Sequence, residues 1–192
     1  MKILKRVPPK RRRKGLTDYG KRLKLVKSGL PRIVIRKTNR YIIAQVINSR
    51  SGGDETLITV TSRKLAAYGW RASFKNTSAA YLTGLIAGLL ARKKGVEKAV
   101  ADIGLHTTSV GSKVFAVVKG FIDAGVVVPS SEEVFPDEGR IQGAHIMEYY
   151  KAIREGGAIA TQFSKSDEDV YMNLNSHFSR VKEKILEEVN GG

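Results

Sequence analysis

The chain has 192 residues, of which 42% are hydrophobic, and its 34 Lys and Arg residues outnumber its 18 Asp and Glu residues, giving a net charge of +16. This length suits one compact domain with appended arms, the absence of cysteine excludes disulfides and thiolate sites, and the strongly basic balance favours a polyanionic partner. The longest apolar run, residues 79–91, falls short of the ~20 residues of a membrane helix, and no secretory signal is recognisable, so we expect a soluble intracellular protein.

Most of the excess charge lies in the first forty residues. This segment holds sixteen Lys and Arg residues and a single acid, Asp18, whereas the other 152 positions hold 18 basic and 17 acidic residues. Five consecutive cations at 10–14 repel one another and are expected to stay extended until a polyanion neutralises them. Nucleic acid offsets the cost of ordering such a run because each phosphate contact releases condensed counterions. A solvated tail or a targeting signal is the alternative interpretation of so short a basic motif.

Residues 1–30 are predicted to form a basic arm. A proline pair and the charge run argue against a helix at its start. Thr17 is expected to cap a short helix, which Gly29 and Pro31 end.

Residues 31–129 are predicted to form the core domain. Two β-rich runs separated by Thr38 and Asn39 have the spacing of a β-hairpin, and a third run continues it as an antiparallel meander. Gly84 and Gly88 indicate a close backbone approach along the long apolar helix that follows. The predicted elements are, in order, strands 31–37, 40–47 and 55–61, helices 62–68 and 78–94, strand 98–103, helix 113–124 and strand 126–128. Strands that alternate with helices after a meander indicate an α/β fold with a mixed sheet.

Residues 130–192 are predicted to form a helical extension. Asp137 is expected to cap a helix that runs to Tyr150, and a glycine-rich linker follows at 155–158. A final amphipathic helix is predicted over 166–189, with a break near 173–176. Its balanced charge favours packing against protein over phosphate binding.

The predicted hairpin carries a pattern typical of RNA-binding surfaces at one edge. Cations bind phosphates, an asparagine reaches base edges or sugars, and an aromatic ring stacks on a base. The residues concerned are Arg36, Lys37, Asn39, Arg40 and Tyr41. An exposed edge strand that is protected by charge has a similar composition, so this second interpretation stays open.

Two further groups of residues fit an RNA surface. Ser112 and Lys113 open a helix, where free backbone N–H groups and a lysine charge make an anion site, although an ordinary N-cap is the alternative. A second group is an aromatic and basic cluster, for which a core anchor beneath a loop is the alternative: Trp70, Arg71, Phe74 and Lys75. Their agreement with the basic arm favours nucleic-acid binding.

Two other classes of function were weighed. Asp54, Asp102 and Asp123 on an α/β sheet raise the possibility of a metal-dependent nuclease, although Asp102 and Asp123 lie at the ends of different elements. The three histidines have no metal-ligand spacing, and the sequence has neither a phosphate-binding loop nor a nucleophile elbow. A basic DNA-packaging protein fits the charge, but the large α/β core makes it the less attractive class.

Four long motifs carry a resemblance to a known family. They are RRRKGLTDYGKRLKLVKSGLPRIVIRKTNRYIIAQVI (11–47), NTSAAYLTGLIAG (76–88), DIGLHTTSVGSKVFAVVKGFIDAG (102–125) and PDEGRIQGAHIMEYY (136–150). Together they resemble the 5S-rRNA-binding family of the large ribosomal subunit, universal family number eighteen, called L-five in eukaryotes, in an archaeal-type form. The resemblance covers about residues 5–150, and Leu16 is a departure, since a polar or charged residue is expected after the glycine.

The resemblance implies a non-enzymatic protein, without a cofactor, in the large ribosomal subunit of the cytoplasm. It implies that 5S rRNA, 23S rRNA and the other 5S-binding family, universal number five, are neighbours in the central protuberance. The RNA-binding residues that it implies lie in the arm, on the hairpin and at three loops. They are Lys10, Arg11, Arg12, Arg13, Lys14, Thr17, Tyr19, Lys21 and Arg22; Arg32, Arg36, Lys37, Asn39, Arg40, Tyr41 and Gln45; and Trp70, Lys75, Asn76, Thr107, Ser112 and Lys113.

Overall fold

The chain is built around a mixed β-sheet flanked by helices. A computed structural model describes residues 7–156, 163 and 168–191. The strands are β1 (Arg32–Lys37), β2 (Ile42–Arg50), β3 (Gly53–Thr61) and β4 (Val100–Asp102). The helices are α1 (Lys10–Arg13), α2 (Tyr19–Lys27), α3 (Thr77–Lys93), α4 (Lys113–Asp123), α5 (Glu138–Gln142), α6 (Ala144–Glu155), α7 (Glu168–Met172) and α8 (Leu174–Gly191), with 3-10 turns at Ser62–Ala66 and Glu132–Val134.

The sheet has the strand order β3-β2-β1-β4. β1, β2 and β3 form an antiparallel meander, and β4 lies parallel to β1, so the predicted mixed sheet is confirmed. The predicted strand over 98–103 is shorter, at Val100–Asp102, and the one over 126–128 is reduced to a single parallel bridge between Lys98 and Val127.

One face of the sheet is buried beneath α3 and α4. Strand side chains alternate between faces, and Ile33, Ile35, Ile42, Ala44 and Val46 all point into this core. α3 is buried along almost its whole length, as its apolar composition predicts. No helix in the described part of the chain is long and apolar enough to cross a membrane.

Glycines allow α3 and α4 to touch through their backbones. A Cβ atom at Gly84 would lie 2.2 Å from the carbonyl oxygen of Val117, and one at Gly120 would lie 2.4 Å from that of Tyr81. Any side chain at these positions would force the helices apart, so the predicted close approach at Gly84 is confirmed. This contact holds the middle of α4 against α3.

The C-terminal extension differs from its prediction in one respect. The single helix expected from Asp137 to Tyr150 is two helices, α5 and α6, because Gly143 adopts a left-handed φ of 91° between them, and α6 then continues to Glu155. The predicted break near 173–176 is confirmed at Asn173, between α7 and α8. Residues 157–158 of the predicted linker and 166–167 at the predicted helix start lie outside the described residues.

The extension shares its core with the sheet domain. Leu174, Phe178 and Ile185 on α8 are buried and belong to the same apolar cluster as the strands. The ring of Phe178 lies 5.7 Å from that of Tyr81 on α3. The boundaries at 30 and 129 stay predictions from the sequence.

The arm holds more helix than the sequence predicts. Residues 10–13 form one helical turn, α1, directly after Pro9, where a proline is tolerated because the first turn needs no N–H donor from it. The cap of α2 is Asp18 and not Thr17, since the Asp18 carboxylate accepts hydrogen bonds from the backbone nitrogens of Gly20 and Lys21. Thr17 accepts one from Nε of Arg11 at 3.0 Å.

Candidate nucleic-acid interface

The tip of the β1–β2 hairpin presents polar groups on a rigid turn. The hydroxyl of Thr38 accepts a hydrogen bond from the backbone nitrogen of Tyr41 and donates one to its carbonyl oxygen, both at 2.9 Å. Asn39 and Arg40 are exposed at the apex. The ring of Tyr41 lies 6.1 Å from that of Phe74, which joins the hairpin to the loop before α3.

Four cations converge beside this tip, and we call them the tip cluster: Lys37, Lys75, Lys113 and Arg140. Lys37 ends β1, Lys75 precedes α3, Lys113 begins α4 and Arg140 lies on α5. Burial, followed by the charges of Lys75, Lys37 and Arg140, lowers the pKa of the Lys113 ammonium. Within the described residues, none of the four has a carboxylate at ion-pair distance. A cluster of like charges without a counter-ion is a site prepared for an anion.

Two histidines border the tip cluster in their neutral form. Nε2 of His106 accepts a hydrogen bond from the backbone nitrogen of Lys37 at 3.1 Å. Burial, with the charges of Lys37 and Arg36, lowers the pKa of His106. Burial also lowers the pKa of His145, helped by Arg140 and Lys113 and opposed by Glu148. Both imidazoles are therefore uncharged at neutral pH and can offer polar contacts without adding to the repulsion.

The start of α4 leaves its backbone donors open. Ser112 occupies the predicted N-cap position, but its side chain makes no capping hydrogen bond. Its buried hydroxyl oxygen has no hydrogen-bond partner among the residues that the structure describes. Because the first N–H groups of a helix have no intrahelical acceptor, this end of α4 adds donors and a positive dipole to the tip cluster.

A ladder of ion pairs crosses the outer face of the sheet and reaches the arm. Arg22 on α2 and Arg32 on β1 both bind Oδ2 of Asp54, each at 2.7 Å. Arg32 also binds Oδ2 of Asp102 at 2.9 Å, and Arg36 binds Oδ1 of the same residue at 3.2 Å. Two carboxylates thus hold three guanidinium groups, and the arm is tied to the sheet through Arg22.

The charges of this ladder act on Asp54. Burial favours the neutral acid, but the hydrogen bond and charge of Arg32, together with the charge of Arg22 and a hydrogen bond from Ser49, outweigh it and lower the pKa of the Asp54 carboxyl. The carboxylate is therefore charged throughout the physiological range, and the link between arm and sheet persists there.

A cleft of about 430 Å³ separates the arm from the sheet and leads towards the tip cluster. Arg11 and Lys21 line it from the arm, and Arg36 and His106 line it from the core. The arm's own cations at positions 10–14 are exposed, as are Tyr19 and Lys21. The described part of the arm and strand β1 therefore place positive charges along both sides of this cleft.

Four sequence-predicted site residues make contacts within the protein. Arg32 is only 3% exposed and fully engaged in the ladder, and Trp70 is 2% exposed and stacked on His177 at 5.1 Å. Asn76 is buried and caps α3 through its Oδ1, which accepts from the nitrogen of Ala79 at 2.7 Å. Gln45 bonds Thr59 on the neighbouring strand at 3.1 Å. Arg32 and Trp70 are buried in the structure, so their predicted contact with RNA has no exposed side chain to support it and stays a prediction.

The structure also identifies residues that the sequence did not single out. Arg140, His106 and His145 lie in loops and helices far apart in the chain, and only the fold brings them to Lys37, Lys75 and Lys113. Thr107 is exposed on the loop that carries His106. Arg140 falls inside the motif at 136–150, which was the one available signal.

The three carboxylates considered for a nuclease do not meet. Asp54 and Asp102 are both neutralised by Arg32, whereas Asp123 accepts from the Tyr81 hydroxyl at 2.8 Å and pairs with Lys119 at 3.2 Å. Within the described ranges no group of three or more acidic or histidine side chains is arranged to hold a metal ion. The geometry therefore gives the nuclease interpretation no support.

The chain is similar to known proteins over most of its length. A family model described as "Ribosomal large subunit proteins 60S L5, and 50S L18" matches residues 5–99 and 90–131. The large ribosomal subunit protein uL18 of Methanothermobacter thermautotrophicus is 48% identical over 182 residues, which cover 94% of each chain. The uL18 of Desulfurococcus amylolyticus is 48% identical over 189 residues, and that of Haloarcula marismortui 45% over 182 residues, each covering 95% of this chain and 94% of its own.

Proposed function

Because this chain belongs to the family of large-subunit ribosomal proteins that includes 60S L5 and 50S L18, we propose that it binds 5S rRNA and attaches it to 23S rRNA in the central protuberance. Members of this family are structural constituents of the cytoplasmic large ribosomal subunit and not enzymes. The proposal specifies the RNA and the place in the subunit. The ribosomal protein family of universal number five is the proposed protein neighbour.

The observation that carries the proposal is the unpaired charge of the tip cluster. Like charges brought together without acids destabilise the free protein, so their convergence is explained by a ligand that neutralises them. Phosphates of a folded RNA satisfy this requirement. Beside them, the exposed Asn39 and Arg40 offer hydrogen bonds and the half-buried Tyr41 offers a ring to unpaired bases.

The mechanism has two parts. The hairpin tip and the start of α4 are held by the core, so they present a fixed arrangement that discriminates one RNA shape from another. The arm supplies exposed cations at 10–14 that bind phosphates, and the counterions so released raise the affinity. We therefore expect binding that weakens steeply with salt but keeps its preference among RNAs.

Competition binding at near-physiological salt tests the proposal. Labelled 5S rRNA is challenged with unlabelled 5S rRNA, transfer RNA and duplex DNA, and only 5S rRNA is expected to compete well. Equal competition by all three would mean that charge acts alone, and the DNA-packaging interpretation would then have to be preferred. For the attachment step, the protein and 5S rRNA together should retain a fragment of 23S rRNA that neither retains by itself.

Two substitution pairs separate the parts of the mechanism. Reversing the charges of Arg12 and Arg13 with glutamate should flatten the salt dependence and preserve the preference for 5S rRNA over transfer RNA. Replacing Arg40 and Tyr41 with alanine should reduce that preference because the rigid tip reads the RNA shape. If the arm variant keeps the wild-type salt dependence, the proposed role of the arm is refuted. If the tip variant keeps the wild-type preference for 5S rRNA, the proposed role of the tip is refuted.

A further inference from the structure

An aromatic cleft opens beside the tip cluster, between the core and the C-terminal extension. It has a volume of about 360 Å³ and is lined by Ser73, Asn76, His145, Ile146, Tyr149, Phe163 and Tyr171. Its size falls at the lower end of the roughly 300–1,000 Å³ that small-molecule sites occupy. Tyr149 contributes a ring to the wall, and the residue is 52% exposed.

The cleft has the surface chemistry of a site for a flat, polar ring. Phe163 lies 4.9 Å from Tyr171 and 6.3 Å from Tyr149, measured between ring centroids, so three aromatic rings line one space. The hydroxyl of Tyr171 is fixed by a hydrogen bond from the backbone nitrogen of Ser73 at 3.3 Å. An aromatic wall that is held in place in this way is suited to stacking.

A buried donor in the cleft lining lacks an acceptor. Asn76 uses its Oδ1 to cap α3, and its Nδ2 is buried with no hydrogen-bond partner within the described residues. Buried polar atoms in proteins are nearly always paired. A ligand that carries a carbonyl or ring-nitrogen acceptor would satisfy this amide, given a small movement of the groups that cover it.

The cleft and the tip cluster are contiguous. Asn76 follows Lys75 in the chain, and His145 in the cleft wall is close enough to Arg140 and Lys113 for their charges to act on it. A ligand in the cleft therefore has cations beside it on one side. Aromatic stacking, an amide donor and adjacent cations match the base, the base edge and the phosphate of a nucleotide.

We propose that this cleft binds one unpaired base of the bound RNA, stacked on Tyr149 and hydrogen-bonded by Asn76, while the tip cluster holds the adjoining phosphates. The inference rests on the proposed function, because it identifies how the same surface selects a bulged or looped nucleotide of a structured RNA. It also gives Asn76 a role in recognition that its burial alone does not suggest.

Titrations of 5S rRNA with variants at Tyr149 test the proposal. Tyr149→Ala should weaken binding about 5- to 150-fold, the range for loss of one base–aromatic stack, whereas Tyr149→Phe should bind like the wild type. The salt dependence should be the same for all three because the ring carries no charge. Val127→Ala, which trims another exposed apolar side chain, is the matched control and should bind normally.

A second variant and a crosslink keep the test independent of folding. Asn76→Ser retains an oxygen for the α3 cap and removes the amide donor, so it should keep its melting temperature and still lose affinity. Ultraviolet irradiation of the wild-type complex should attach a nucleotide to the tryptic peptide 141–151, which contains Tyr149.

The outcomes are distinguishable. If the wild-type protein shows no preference for 5S rRNA, the proposed function fails. If it binds 5S rRNA and Tyr149→Ala binds equally well, the base cleft is refuted while the proposed function stands. A Tyr149→Ala variant that binds RNA normally but loses a protein neighbour in reconstituted subunits would also refute it, since the cleft would then be a protein-docking site.

Discussion

Removing two cations of the tip cluster should change RNA binding and protein stability in opposite directions. Lys75 and Lys113 repel each other, and Lys113 is partly buried with a lowered pKa. Glutamine at both positions keeps a flexible polar side chain and removes the charges. The variant should therefore unfold at an equal or slightly higher temperature than the wild type, whereas its RNA affinity should fall.

The size of the effect follows from counterion release. Each phosphate contact contributes about 0.7 to 0.9 to the slope of log affinity against log salt concentration, so losing two contacts lowers the slope by about 1.4 to 1.8. Between 50 and 200 mM salt, a fourfold change, the wild type should then lose about 7 to 12 times more affinity than the variant. Filter binding of 5S rRNA over this salt range measures both slopes.

A matched pair at the other end of the core gives the control. Lys93 and Lys98 are exposed, at the C-terminal end of α3 and before β4, and α3 spans about 25 Å between them and Lys75. Glutamine at these two positions changes the net charge by the same amount. If the control lowers the slope as much as the tip variant does, net charge and not the tip cluster drives binding, and the reasoning is refuted.

Three further predictions concern the framework that positions the interface. Gly84→Ala should destabilise the protein by about 3 kcal/mol in urea unfolding, since its Cβ would lie 2.2 Å from the Val117 oxygen; a wild-type midpoint would contradict the close packing. Asp102→Asn should cost about 1.5–3 kcal/mol by the same measurement, because it removes a charged hydrogen-bond partner from the buried guanidinium of Arg32, which keeps Asp54; a loss below 1 kcal/mol would mean that the ladder is not needed. The folded state holds the pKa of Asp54 below its ordinary 3.8, so this carboxylate stabilises the fold above that pH and loses that effect as the pH falls through the lower folded value. Asp54→Asn should therefore lose less stability on acidification than the wild type, and an identical acid-unfolding profile would contradict the assignment.

Local patterns predicted most of the secondary structure. Apolar and polar residues alternate in residues 31–47 because neighbouring side chains of a strand point to opposite faces. This local pattern predicted the hairpin correctly. The apolar run of α3 likewise predicted a buried helix, and the glycines within it predicted a close backbone approach. The split at Gly143 was not predicted because a glycine inside a helical pattern is often tolerated. The close packing of Leu174, 2.5 Å from where a Cβ would lie, is a contact from far along the chain that the local pattern does not reveal.

The site was predicted less completely, because burial depends on partners far away in the sequence. Nothing near Arg32 indicates that it is buried, since its carboxylates are Asp54 and Asp102, 22 and 70 positions away. Trp70 likewise pairs with His177, on a helix at the other end of the chain. An arginine or tryptophan in a basic protein fits an RNA surface and a core equally well until those partners are known.

The distribution of acids explains which cations remain for RNA. Asp54 and Asp102 neutralise two arginines on the outer sheet face and one on α2, and this pairing holds the arm and β4 in place. The lysines at the hairpin tip and at the starts of α3 and α4 receive no such partners within the described residues. The fold thus pairs the arginines of the ladder with acids and leaves the cations of the tip cluster without acidic partners among the described residues. We propose the tip cluster as the RNA surface because of this uneven distribution of acids, and not because of the net charge of the whole chain.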